Sequence, residues 1–172
     1  MKIVLIGYRG SGKTTIGKIL SKILGLKFIS TDEEIVKRTG KSIPEIVKNY
    51  GWEKFRDIET EVAKSLADED NLIIDTGGGI VLREENVRAL KKNGIVIFLS
   101  APPEVLAERI KDDNSRPPLK PGKTHWDEVK EVLEERLPYY RKAMDIEIST
   151  DGKTPEEVSE EIIKILKNEK RI

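Results

Sequence analysis

Between an apolar run, Lys2 to Ile6, and a stretch of helical periodicity, the chain reads Gly7-Tyr8-Arg9-Gly10-Ser11-Gly12-Lys13-Thr14, a match to G-x-x-x-x-G-K-[ST]. The flanking context constrains the fold as much as the letters do. A glycine-rich turn that leaves a buried strand and enters a helix aims successive backbone N–H groups at one point, where the positive end of the helix adds to their field. Such a loop cradles a polyphosphate. Gly10, Ser11 and Gly12 supply backbone amides, Lys13 reaches the outer phosphates, the Thr14 hydroxyl can ligate magnesium, and Thr15 follows on the same turn. The chain is therefore expected to be an α/β protein that binds a nucleoside triphosphate with Mg2+.

Short apolar runs alternate with amphipathic stretches throughout, as an α/β sheet requires. Strand candidates are Lys2 to Ile6, Lys27 to Ser30, Leu72 to Asp75, Ile95 to Leu99 and Ile146 to Ser149. Five strands, mostly parallel and covered on both faces, is the economical arrangement. Ile16, Ile19, Leu20 and Ile23 share one helical face, and Gly25 stands where a C-terminal cap belongs. Ser42-Ile43-Pro44-Glu45 is a capping box that opens a short helix ending near Gly51. Thr154-Pro155-Glu156-Glu157 starts the last helix, with Val158, Ile162, Ile165 and Leu166 as its apolar stripe. One domain over residues 1–172 is expected, because 172 residues with 37% hydrophobic content bury one core and not two. Two regions break the rhythm. Residues 31–67 hold helices but no strand, which suggests an inserted helical region, and residues 112–124 are rich in proline and basic residues, which suggests a mobile lid.

The 31 basic residues balance the 31 acidic ones, so no bulk field draws the chain to nucleic acid or to a membrane surface, and any anion site is local. No apolar run approaches the roughly 18 residues of a membrane span, and the opening is too short for a signal peptide. The cytoplasm is the expected compartment and a monomer the expected state. With no cysteine and a single histidine, His125, thiolate chemistry and His-rich zinc sites are excluded. Charged residues reach 36%, a composition of heat-adapted proteins and equally of designed ones.

A phosphate loop names a nucleotide and not a reaction. At this length there is little room for effector modules, and no guanine-reading Asn-Lys-x-Asp is present, which favours a small-metabolite kinase. Asp32 follows the second strand, at the crevice end of the sheet, where a carboxylate can orient an acceptor hydroxyl and take its proton. It also reads as a simple helix cap. Arg56 and Arg136 are ordinary surface arginines on spacing alone, but as a converging pair they would grip a substrate carboxylate. Three glycines in Asp75-Thr76-Gly77-Gly78-Gly79 leave a strand end bare for close approach of a ligand. Arg116, in the proline-rich loop, is placed to fold over the phosphates.

From Lys2 to about Leu166 these blocks resemble the shikimate kinases. Besides the phosphate loop, the resemblance is carried by Thr31-Asp32, Arg38-Thr39-Gly40-Lys41-Ser42-Ile43, Gly51 through Phe55-Arg56 to Glu59, Gly77-Gly78-Gly79, Arg116-Pro117 and Arg136 through Pro138 to Tyr140-Arg141. It implies a three-layer P-loop kinase fold with strand order 2-3-1-4-5, and transfer of the γ-phosphoryl group of ATP to the 3-hydroxyl of shikimate. It further implies that Asp32, Arg56, Gly78, Gly79 and Arg136 bind shikimate, that Lys13 and Arg116 stabilise the transferring group, that Thr14 holds magnesium, and that Arg109 and Pro155 flank the adenine. Two positions depart from the family pattern. Ser30 stands where an aspartate usually supports the hydrated metal, and Pro118 follows Arg116-Pro117 where leucine is usual. A gluconate or nucleoside monophosphate kinase, a nucleotide-binding regulator without turnover, and a designed scaffold are the competing readings.

Overall fold

The computed structural model describes residues 1–113 and 115–172. The elements run β1 (Lys2–Ile6), α1 (Lys13–Leu24), β2 (Lys27–Ser30), α2 (Thr31–Thr39), α3 (Ile43–Ser65), β3 (Leu72–Asp75), a single 3-10 turn (Ile80–Leu82), α4 (Glu84–Lys91), β4 (Gly94–Ser100), α5 (Pro103–Ile110), α6 (His125–Ala143), β5 (Ile146–Ser149) and α7 (Pro155–Asn168). The five strands form one parallel sheet in the order β2-β3-β1-β4-β5, the order the family resemblance implies. β1 is central and buried along its whole length, with Lys2 paired to Leu72 on one side and Gly94 on the other.

Strand periodicity divides the core into two layers. Val4, Ile6, Ile74, Val96 and Phe98 face α3, α4 and α6, where Phe55, Val62, Leu90, Leu133 and Tyr140 close the layer. Ile3, Leu5, Ile73, Ile95 and Ile97 face the other way, onto Ile16 and Leu20 of α1 and Val158, Ile162 and Leu166 of α7. Ile23 departs from its expected place and is 56% exposed. The inward stripe of α1 runs Ile16, Leu20, Leu24 at four-residue steps, so Leu24 takes the position that Ile23 would have needed. β4 is one residue longer at each end than its apolar run, because Gly94 pairs with Lys2 and Ser100 with Ser149.

Residues 31–67 fold as α2 and α3 without a strand. The break expected near Gly51 is present: Gly51 has φ 84 and ψ 169, and helix resumes at once on its far side. A Cβ at Gly51 would meet nothing within 4 Å, so the requirement is conformational alone. Gly51→Ala is expected to lower stability by about 1–3 kcal/mol, the cost of forcing a side chain into a glycine-only backbone region, read from the urea midpoint.

The described residues of the stretch expected to be a lid carry no regular helix or strand but are tied down. Arg9 pairs with Asp113 at 3.2 Å, and Glu128 Oε1 accepts from the amides of Leu119 and Lys120, the latter at 2.8 Å. Asn114, within the expected lid, lies outside the described residues. Among the described residues no helix is long and apolar enough to cross a membrane.

Candidate active site

The carboxyl ends of β1, β2 and β3 open on a cleft of about 460 Å³. On one wall the phosphate loop turns from β1 into α1, with Gly12 in the left-handed region at φ 96 so that Lys13 becomes the first helical residue. Lys13 Nζ donates to Gly7 O at 2.7 Å and to Tyr8 O at 3.1 Å. Burial lowers the Lys13 pKa to about 8, against the pull of the Asp75 and Asp32 carboxylates. Thr14 Oγ1 donates to Asp75 Oδ2 at 2.5 Å. Burial pushes the Asp75 carboxyl up, partly offset by Lys13 and by the Thr14 hydrogen bond.

Opposite stands Asp32, in the first turn of α2. The cap of that helix is Ser30, whose hydroxyl accepts from Glu33 N at 3.3 Å. Asp32 is thereby relieved of capping and faces the cleft, which removes the simple-cap alternative. Its Oδ2 forms an ion pair with Arg116, brought in by the loop after α5. Its Oδ1 is buried without a partner among the described residues.

Arg56 extends from α3 against the rings of Trp52 and Phe55, 5.5 and 5.2 Å from their centroids, and is held by Glu59 Oε1 at 2.8 Å. Its guanidinium lies on the bare Cα of Gly79, where any Cβ would collide with it. Arg136, from α6, is buried, and its Nη1 is 3.3 Å from the Cβ position of Gly78. One turn on, Tyr140 donates to Gly78 O at 2.6 Å. Burial pushes the Tyr140 pKa up to about 12, so its hydroxyl stays a donor at any working pH. The glycine run is thus the platform on which both arginines rest.

Lys13, Thr14, Thr15, Gly10, Gly12, Asp32, Arg56, Gly78, Gly79, Arg109, Arg116 and Arg136 all line the one cleft. Two expected residues do not. Ser11 is buried behind the loop, its Oγ 3.5 Å from Lys13 Nζ, and Pro155 sits at the start of α7, away from the lining. Arg109 ties the loop to the end of β5 through Gly10 O at 3.1 Å and Thr150 Oγ1 at 3.0 Å. Three residues were given no role from sequence: Asp75, Glu59 and Tyr140. Asp75 ends a strand beside the phosphate loop, and Glu59 follows Arg56 at the i,i+3 spacing of a helical ion pair. For Tyr140 the sequence carries no such signal.

The family model described as shikimate kinase matches residues 9–167. A shikimate kinase of Thermodesulfovibrio yellowstonii is 47% identical over 162 residues, covering 94% of this chain and 92% of its own. One from Caldicellulosiruptor bescii is 45% identical over 163 residues, covering 95% and 94%. Among solved structures, shikimate kinase from Acinetobacter baumannii in complex with shikimate superposes with a TM-score of 0.93 at 33% identity, covering 98% of this chain and 94% of that one.

Proposed function

We infer that this chain, which belongs to the shikimate kinase family, transfers the γ-phosphoryl group of ATP to the 3-hydroxyl of shikimate. The observation that carries the reading is that Asp32, Arg56 and Arg136 line the same cleft as the phosphate loop. An acceptor with one carboxylate and a ring of hydroxyls suits a site that offers guanidinium groups to the first and a carboxylate to the second, and all three side chains line this cleft. The loop amides and Lys13 hold the β- and γ-phosphates, Arg56 and Arg136 hold the acceptor's carboxylate, and Asp32 orients the reacting hydroxyl and receives its proton. The segment that carries Arg116, folded over the phosphates, excludes water from the transferring group.

Arg116 has two candidate partners in this cleft. It now pairs with Asp32. A γ-phosphate beside Lys13 offers it a denser negative charge, and its transfer there frees Asp32 Oδ2 for the acceptor while neutralising charge in the transition state.

The donor set fits a magnesium ion carried by the nucleotide. Among the described residues no group of three or more Asp, Glu, His or Cys is placed to hold a metal by itself. Thr14 and the buried Asp75 carboxylate adjoin, so Thr14 would be a direct ligand and Asp75 the acceptor that orients it, with phosphate and water completing the shell. The ion would supply charge neutralisation at the β- and γ-oxygens. Ser30, in place of the family's aspartate, is committed to capping α2 and adds no charge there.

A coupled assay of ADP release, run with and without shikimate, tests the reaction, and release that does not depend on shikimate sinks it. Lys13 gives a second test. Its free-enzyme pKa of about 8 must rise when phosphates bind, so below that pH the lysine is already charged, and above it binding must take up a proton. ATP affinity is expected to fall as pH rises through about 8, approaching about tenfold per unit. Calorimetry in buffers of different ionisation enthalpy should show the matching proton uptake, and Lys13→Met should abolish both.

A further inference from the structure

One carboxyl group behind the cleft, the one that holds Arg56, takes no proton in the chemistry above. Glu59 is completely buried; Oε1 accepts from Arg56, and Oε2 is buried with no hydrogen-bond partner among the described residues. Asp32 Oδ1, arriving from another helix, is in the same condition. Both bare oxygens converge on one point: a Cβ on Gly77 would lie 2.8 Å from Glu59 Oε2 and 3.0 Å from Asp32 Oδ1. A side chain at 77 would crowd both oxygens. Two ionised carboxylates are acceptors only, so buried side by side they repel, and a single proton turns that repulsion into a hydrogen bond.

We propose that Asp32 and Glu59 act as a carboxyl pair that holds one proton in the gap over Gly77, between Asp32 Oδ1 and Glu59 Oε2, with Glu59 as a positioning residue for the reacting carboxylate. The proposal rests on the shikimate kinase reading. The proton resides on Glu59 and is donated to Asp32 Oδ1, which fixes the carboxylate plane with Oδ2 turned to the acceptor. During transfer the acceptor oxygen bonds to the γ-phosphorus while the bond from that phosphorus to the β–γ bridging oxygen breaks and ADP leaves with its electron pair; the acceptor's O–H bond breaks and that second proton passes to Asp32 Oδ2, while the first stays where it was. Glu59 is faced by Arg56 from its own helix, by Asp32 from α2 and by Arg116 from the lid; burial, the largest influence, favours its neutral form, Arg56 opposes this, Asp32 reinforces it and Arg116 opposes it.

Infrared difference spectroscopy of the intact enzyme tests this without turnover. Wild type near neutral pH should show the carbonyl stretch of a buried neutral carboxyl, sensitive to deuterium, that is missing from Glu59→Gln. If no such band is lost, the pair does not exist. Kinetics supply the second arm, as kcat/KM for shikimate at saturating ATP, where phosphate keeps Lys13 charged. Wild type should lose activity on the alkaline side as the pair gives up its proton. In Glu59→Gln the amide N–H donates in place of the carboxyl proton and does not titrate, so the alkaline limb should vanish. Identical pH profiles in the two proteins would overturn the proposal. Gly77→Ala puts a methyl group against both oxygens at a position whose backbone is not left-handed, and should lower kcat about 100-fold with ADP affinity near wild type, in protein that thermal melting shows to be folded at the assay temperature. An unchanged kcat in that variant would likewise overturn it. A wild-type protein that shows the band but does not phosphorylate shikimate would refute the reaction and leave the pair standing.

Discussion

Asp32→Asn is expected to lower kcat by about 10³-fold while ATP binds with little change, because general-base assistance contributes about 10²–10⁴-fold. Asparagine keeps the shape of the side chain, and α2 keeps its start, since the cap belongs to Ser30. What is lost is the ability to take a proton and the negative charge that draws the acceptor hydroxyl into line. The nucleotide side of the cleft rests on the loop amides, Lys13 and Thr14, none of which depends on Asp32 for its geometry. Turnover by the coupled assay and ATP affinity by calorimetry separate the two effects. A variant that retains turnover within tenfold of wild type would remove Asp32 from the chemistry and leave the acceptor hydroxyl without a base.

The parts of the molecule that were legible in sequence are those set by local pattern. All five strands fall within one residue of their apolar runs, the phosphate loop lies between β1 and α1, and Gly51 breaks the helix where its capping box and spacing place the end. The site was less legible because it is assembled by convergence. Residues 13, 32, 56, 78, 116 and 136 come from six separate segments, and nothing in the spacing of Arg56 or Arg136 distinguishes them from surface arginines. Only the resemblance to a family placed them. Burial makes the difference afterwards: Arg136 is 7% exposed, which an arginine without a purpose in the interior would not tolerate. Glu59 shows the limit most sharply. Its i,i+3 spacing to Arg56 announces an ion pair, but nothing local announces that its second oxygen and Asp32 Oδ1 both pack against Gly77, a residue on a third segment.

Removing the guanidinium of Arg136 should raise the KM for shikimate by roughly 30- to 1000-fold, the range that corresponds to about 2–4 kcal/mol for truncating one partner of a buried charged pair. The group stands beside Gly78 with its charge desolvated, and the residue one turn on, Tyr140, holds that glycine's carbonyl. An acceptor carboxylate bound there replaces water on the arginine with a fork of charge-assisted hydrogen bonds. This binding is equally present before and during phosphoryl transfer, so Arg136→Ala should move KM far more than kcat, and the KM for ATP should hold. Arg136→Lys restores the charge without the planar fork and should recover only part of the loss, about tenfold. Because alanine also leaves a cavity in α6, thermal melting of both variants must show them folded at the assay temperature. If the lysine variant matched wild type, the site would be reading charge alone. If KM for ATP rose together with KM for shikimate, Arg136 would belong to the phosphate side of the cleft, and the division of labour between its two walls would have to be redrawn.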